Sequence, residues 1–142
     1  MKFPPVKQTR LDRRYDWVGP PDKVSRIRPI RLRRLHDETS TERKFREFWE
    51  NMNEWNHRFW ETHNLLYEKR KAEFIAHKKS NSLLHEKPTA NELSDFYKSF
   101  LNENYESLAA YNREWYSRNF KLLWLAAQVS VVRFRRMFFK WF

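Results

Sequence analysis

The chain has 142 residues, a length that suits a single domain. It contains no cysteine and one glycine, which excludes a disulfide framework, a thiolate metal site, a cysteine nucleophile and a glycine-rich phosphate loop. Its net charge of +11 predicts an anionic partner: phospholipid, nucleic acid or an acidic protein surface. The charge lies at the ends, because residues 1–36 carry 11 Lys/Arg against 3 Asp/Glu and residues 113–142 carry 7 against 1.

Residues 1–14 form a basic tail that we predict to lie outside the folded domain, which spans 15–142. Two interpretations of the tail remain open. It is either solvated disorder or the remainder of a mitochondrial targeting segment.

Residues 15–36, called the strap below, lack helical or strand periodicity. Gly19 can adopt a positive φ, and Pro20 and Pro21 favour an extended, polyproline-like path. We expect Trp17, Pro20 and Ile27 to supply a third side of the core. The strap would then lie across two helices.

A first helix is predicted over about 41–78. Thr39 and Glu42 have the spacing of a capping box. An apolar seam follows at alternating spacings of three and four residues, which is typical of a helix that packs lengthwise on another helix. The seam consists of Phe45, Phe48, Met52, Trp55 and Phe59.

A second helix is predicted over about 89–120, after a loop at 79–88. Thr89 and Glu92 form the second capping-box pattern, and apolar residues recur at helical spacing from Leu93 to Trp115. No segment alternates with a period of two, so we expect no sheet. The fold class is therefore all-α: a long antiparallel helical hairpin with an extended Pro-rich N-terminal strap and an amphipathic C-terminal helix.

The C-terminal segment, about 121–142, is predicted to be that amphipathic helix. Its apolar run from Leu122 to Val132 is too short to span a bilayer. A cationic face opposite an aromatic face is typical of a helix in a membrane interface. Burial within the fold and a protein groove remain alternatives. The residues predicted to contact a membrane are Arg133, Phe134, Arg136, Phe138, Lys140 and Trp141.

No catalytic, cofactor or metal site is predicted from the residue patterns. The histidines lack metal-ligand spacing, and His57 and His63 on the first helix point about 120° apart. Carboxylates such as Glu42 and Glu54 are followed by arginine four residues later, which is typical of a solvated helix face. We therefore expect a protein that is not an enzyme.

Four short motifs in register resemble the cytochrome c oxidase assembly factor 8 family, also called apoptogenic protein 1. The likeness covers roughly residues 15–127. The motifs are Asp16–Lys23 with Arg28-Pro29, Glu54-Trp55-Asn56 with Phe59-Trp60, Asp95–Lys98 with Phe100-Leu101, and Tyr111–Tyr116 with Arg118-Asn119-Phe120.

The resemblance implies a non-enzymatic mitochondrial factor for the assembly or stability of cytochrome c oxidase, at the matrix side of the inner membrane. Its expected partners are oxidase subunits or assembly intermediates and anionic lipid. Protection from oxidative damage and a role in cell death are open within that function. The alternatives are an RNA- or mitoribosome-associated protein and a haem-handling chaperone.

Two clusters are predicted to form the partner-binding surface, one in the strap and one on the second helix. Polar residues within an aromatic zone must find hydrogen-bond partners, so we expect Asp22 to act as a cap or to pair with an arginine. Such a contact would fix the strap on the second helix. The predicted partner-binding residues are Trp17, Gly19, Pro20, Pro21, Asp22, Tyr111, Asn112, Arg113, Trp115 and Tyr116.

Overall fold

Two long helical arms and an N-terminal strap make up the fold. The computed structural model describes residues 12–81 and 87–139. The mostly helical architecture expected from the sequence is confirmed. The elements are β1 (Trp17–Val18), β2 (Ile30–Arg31), α1 (Ser40–Asn81), α2 (Ala90–Glu103) and α3 (Tyr105–Phe138).

Helices α1 and α2 begin at the two capping boxes predicted from the sequence. The Thr39 N–H donates to Glu42 Oε2 at 3.0 Å, and the Glu42 N–H donates to Thr39 Oγ1 at 3.2 Å. Thr89 and Glu92 make the same reciprocal bonds at the start of α2. In each case a threonine hydroxyl and a glutamate satisfy N–H groups that have no partner within the helix.

The arms pack antiparallel. Glu42, in the first turn of α1, lies 3.0 Å from Arg136 near the end of α3. In the middle of the arms, Trp60 Nε1 donates to the Tyr111 hydroxyl at 2.9 Å. The predicted hairpin is therefore present, with α1 as one arm and α2 followed by α3 as the other.

The second arm is interrupted at Asn104, inside the segment predicted as one helix over 89–120. Asn104 adopts φ −99° and ψ 9°, and both its backbone N–H and its side-chain amide donate to the Phe100 carbonyl. The backbone bond is the regular helical one, so the interruption is a local change in the backbone angles of Asn104 and not a loss of this hydrogen bond.

The predicted boundary between a second helix and a C-terminal helix at 120–121 is wrong, because α3 passes through it without a break. The apolar run from Leu122 to Val132 continues the packing against α1, and Val129 is buried. None of the helices in the described ranges is long and apolar enough to cross a membrane.

The core is thin, as expected for two packed arms. Among the described residues, the buried hydrophobic side chains are Met52, Phe100 and Val129, and no large side chain is fully buried. Many aromatic rings contact one another across the two arms but remain partly exposed to solvent. This leaves much of the apolar surface available for other contacts.

A short sheet in the strap contradicts the prediction of no sheet. Trp17 pairs with Arg31 and Val18 with Ile30 in an antiparallel ladder. Two-residue strands are too short to produce the alternation that identifies a strand in a sequence.

Candidate functional site

The strap is fixed to α1 by side chains that bind its main chain. Asn53 accepts a hydrogen bond from the Ile30 N–H at 3.1 Å and donates to the Arg28 carbonyl at 2.9 Å. About three turns further along α1, Asn64 donates to the Val24 carbonyl at 2.8 Å. These contacts hold the strap backbone at two separate points.

Two further contacts complete the attachment. Glu50 Oε1 accepts from the Leu32 N–H at 2.9 Å, and His57 Nδ1 lies 2.7 Å from the buried Ser25 hydroxyl. The expectation that Asp22 fixes the strap on the second helix is wrong, because α1 provides these anchors.

Sequence reasoning missed the anchoring residues, although a signal was available. Glu50, His57 and Asn64 are spaced by seven residues, and Asn53 lies between the first two. Residues seven apart share one helix face. A polar row beside the apolar seam is therefore a signal for a second packing surface on α1.

Asp22 closes a turn within the strap. Its Oδ1 accepts the N–H groups of Val24 at 2.9 Å and Ser25 at 2.8 Å, and these bonds, from Ser25 first, lower the pKa of its carboxyl. The Asp22 N–H donates to the Ile27 carbonyl. Arg26, within this turn, has a φ of 63°. Of the two roles expected for Asp22, a cap or an arginine pair, the cap agrees with this geometry.

Gly19 does not have the positive φ expected for it. It is buried because the Trp17 ring and the Pro29 ring cover it: a Cβ there would lie 2.5 Å from Trp17 Cη2. Pro20 and Pro21 are exposed, so Pro20 does not form a third side of the core. The two prolines and the exposed part of Trp17 form a rigid outer surface.

The strap surface is strongly cationic. Its acidic residues are engaged locally: Asp22 in the turn and Asp16 with the Arg33 N–H at 2.7 Å. Within the described parts of the chain, the six Lys and Arg residues of the strap and Arg13 of the adjoining tail have no ion pair. They are Arg13, Lys23, Arg26, Arg28, Arg31, Arg33 and Arg34.

Tyr111 lies between the arms. Its hydroxyl accepts from Trp60 and donates to Asn56 Oδ1 at 3.0 Å, and its ring stacks on Phe59 at 4.0 Å and Trp55 at 5.0 Å. The ring is half-buried. Tyr111 therefore joins α3 to α1, and little of its side chain is exposed for contact with a partner.

The neighbouring residues of the predicted second cluster face outward. Asn112, Arg113, Trp115 and Tyr116 are exposed, and the last two rings form an edge-to-face pair at 5.2 Å. The structure thus separates this cluster into an internal tyrosine and four accessible residues.

A buried carboxylate connects the start of α1 to the end of α3. Glu42 lies 3.4 Å from Arg133 and 3.0 Å from Arg136. Burial would raise the pKa of the Glu42 carboxyl, but the hydrogen bonds from Thr39 and the ion pair with Arg136 hold it below its usual value. Two of the arginines assigned to a membrane face are thereby used within the fold.

The other residues assigned to membrane contact are exposed or lie outside the described part. Phe134 and Phe138 are exposed, with ring centroids 4.7 Å apart. Lys140 and Trp141 lie outside the described residues.

The described residues contain no group of three His, Asp or Glu side chains that could hold a metal ion. His57 is engaged with Ser25. His63 packs among Phe59, Trp60 and Phe100, and burial lowers its pKa.

Comparison with known proteins gives the family. The model of the cytochrome c oxidase assembly factor 8 family matches residues 15–135. The chain belongs to this family. It is 49% identical over 128 residues to a mitochondrial member from Caenorhabditis elegans, with 90% of each chain covered. No solved structure matches.

Two mammalian family members are more distant. The chain is 38% identical to cytochrome c oxidase assembly factor 8 of Bos taurus, covering 93% of this chain and 71% of the bovine protein. It is also 38% identical to the human protein, covering 84% of this chain and 62% of the human one. The family match includes the strap and almost all of α3.

Proposed function

We propose that this protein is a non-enzymatic mitochondrial assembly or stability factor for cytochrome c oxidase, and that it acts by binding. The observation that carries the proposal is the family match over residues 15–135. Relatives from worm are named as mitochondrial, and those from mammals as oxidase assembly factors. The exposed aromatic and cationic surfaces supply contacts for the partners that such a factor needs.

The proposed client is an oxidase subunit or assembly intermediate. Trp17, Pro20 and Pro21 in the strap and Trp115 and Tyr116 on α3 would contact it. Their exposure supports this role, because aromatic residues and rigid prolines form contact area at a low cost in conformational entropy.

The proposed location is the matrix face of the inner membrane, as a peripheral protein. Phe134 and Phe138 would enter the lipid interface, and Lys140 and Trp141 would extend that contact. The unpaired cations of the strap support attraction to anionic lipid, since each basic residue near such a surface contributes about 1 kcal/mol.

The test is deletion of the gene followed by complementation. We expect deletion to reduce the abundance and activity of complex IV, and the full chain to restore both. Mitochondrial translation, measured in parallel by pulse labelling, should be unaffected. Unchanged complex IV together with reduced translation would overturn the proposal in favour of an RNA- or ribosome-associated role.

A further inference from the structure

Helix α3 has a second apolar face that no described part of the chain covers. Phe120, Trp124, Ala127 and Val131 follow one another at spacings of four, three and four residues, and all are exposed. With Tyr116 and Leu123 beside them, they form a stripe that we call the outer face of α3.

The outer face lies opposite the one packed on α1. Tyr111 and Val129 mark the packed face, because Tyr111 stacks on Phe59 and Val129 is buried. Each residue turns a helix by about 100°, so Phe120 lies about 180° from Val129. The outer face has the alternating three-and-four spacing of a helix–helix seam. A third helix packed on the outer face would extend the layer formed by the two arms.

The charges beside the outer face indicate what that helix carries. Residues 115–142 contain no Asp or Glu. Arg113 and Arg135 are exposed near the two ends of the outer face, and neither forms an ion pair within the described ranges. A partner helix with acidic residues on its flanks would match these cations, which favours association and selects against basic partners.

A second copy and a lipid surface fit less well. Two outer faces packed together would bring Arg113 and Arg135 of each copy close to those of the other. The basic residues that attract a helix to anionic lipid follow residue 132, beside Phe134 and Phe138, whereas residues 122–132 contain no Lys or Arg.

We propose that the outer face of α3 binds an amphipathic helix of a partner protein, with apolar residues at helical-seam spacing and acidic residues on the flanks. This inference rests on the proposed function as a binding factor and identifies the chemistry of the client segment. Trp124 lies near the middle of the stripe, and Leu123 lies beside it.

The probe is a fluorescent synthetic helix of about three heptads with leucine at the seam positions and glutamate on both flanks. A matched peptide carries lysine on the flanks. Fluorescence anisotropy with the full chain should give at least about tenfold tighter binding of the glutamate peptide. Equal affinity for the two peptides, or no binding of either, would overturn the inference.

Leu123→Glu is the test variant, and Leu65→Glu is its matched control. Leu123 is 66% exposed on the outer face, and Leu65 is 55% exposed on α1. Leu123→Glu should weaken glutamate-peptide binding at least about tenfold, and Leu65→Glu should leave it unchanged. Val131→Glu provides an independent variant if Leu123→Glu fails to fold. Equal effects of the test and control variants would contradict the inference.

Sedimentation and vesicle flotation test the other occupants. A dimer of the full chain that Leu123→Glu dissociates would assign the outer face to a second copy. Loss of flotation with cardiolipin vesicles in Leu123→Glu, without peptide binding by the unmodified chain, would assign it to lipid. Either result overturns the inference.

Complementation separates this inference from the proposed function. If deletion leaves complex IV unchanged, the proposed function fails. If deletion lowers complex IV and Leu123→Glu restores it as well as the unmodified chain does, the outer-face inference alone fails. We expect deletion to lower complex IV and Leu123→Glu to restore it poorly.

Discussion

Position 19 lies where the strap packs most closely against itself. The Gly19 N–H donates to the Pro29 carbonyl at 2.9 Å, and the Trp17 ring covers its Cα. A Cβ would lie 2.5 Å from Trp17 Cη2 and 2.8 Å from Pro29 Cγ. Moving the Trp17 ring aside would give up its packing against Gly19 and Pro29.

Gly19→Ala should therefore lower the free energy of unfolding by about 1–3 kcal/mol, the usual cost of overpacking. Urea denaturation followed by tryptophan fluorescence measures the change. An unchanged midpoint would show that the Trp17 ring moves away without cost.

Arg26→Gly should have the opposite sign. Arg26 has a φ of 63°, a conformation that costs a residue with a Cβ about 1 kcal/mol or more. Glycine adopts it readily, although it also increases the entropy of the unfolded chain. We expect a stabilisation of up to about 1 kcal/mol in the same urea titration. A loss of stability would indicate that the Arg26 side chain makes a stabilising contact.

Tyr111 and Tyr116 offer one substitution in two environments. Tyr111→Phe removes the hydroxyl that joins Trp60 to Asn56, and leaves both partners without it. We expect a loss of about 1–3 kcal/mol in unfolding free energy. Tyr116 is exposed, so Tyr116→Phe should change stability by less than about 0.5 kcal/mol. Similar effects at both positions would contradict the bridging role of Tyr111.

At the scale of elements, Glu42 joins the start of α1 to the end of α3. Its carboxylate completes the capping box and also binds Arg133 and Arg136. Glu42→Gln retains an amide that can cap but removes the charge. The expected cost is about 1–3 kcal/mol, below that of a fully buried pair because both arginines are partly exposed.

The Glu42 contribution should depend on pH. Its pKa is lowered on folding from an ordinary value of 4.5, so protons favour the unfolded state. This stabilisation is present above pH 4.5 and is lost as the pH falls through the folded-state pKa. Stability measured from pH 7 to pH 3 should fall less in Glu42→Gln than in the unmodified chain. Glu54→Gln, which removes an exposed pair with Arg58, should leave the slope nearly unchanged.

The sequence predicts the elements that residue type and spacing determine. It does not predict those that depend on a local backbone conformation or on contacts with distant residues. The capping boxes at Thr39 and Thr89 and the seam along α1 follow from residue type and spacing. The break at Asn104 is a local change in backbone angles, and residue type does not reveal it: Asn119 makes the same side-chain bond to the carbonyl four residues back inside the unbroken α3. The strap anchors were missed because their partners are main-chain atoms, which no residue pattern in the strap reveals.

For the whole molecule, two exposed apolar regions on one helix are assigned to different partners. The outer face from Tyr116 to Val131 is proposed for a protein helix, whereas Phe134 and Phe138 are proposed for lipid. The sequence predicted the aromatic character of the C-terminal end. It did not predict that Arg133 and Arg136 bind Glu42, because the two sites are about ninety residues apart in the chain.

The double variant Phe134→Glu and Phe138→Glu tests the division between these regions. It should weaken binding to cardiolipin vesicles at least about tenfold, since burying each ring in the lipid interface stabilises binding by roughly 1.5–3 kcal/mol. Leu123→Glu and Leu65→Glu should float with the vesicles as the unmodified chain does. Retained flotation of the double variant would exclude these rings as the lipid contact.

The way α1 holds the strap has a consequence for how the strap can evolve. Asn53, Asn64 and Glu50 bind peptide groups of the strap, and those groups are the same whatever side chain each position carries. Most strap side chains can therefore be exchanged without detaching it. Natural selection on the exposed Pro20 and Pro21 can then act on what these residues contact outside the molecule, whereas Trp17 is also constrained by its packing on Gly19.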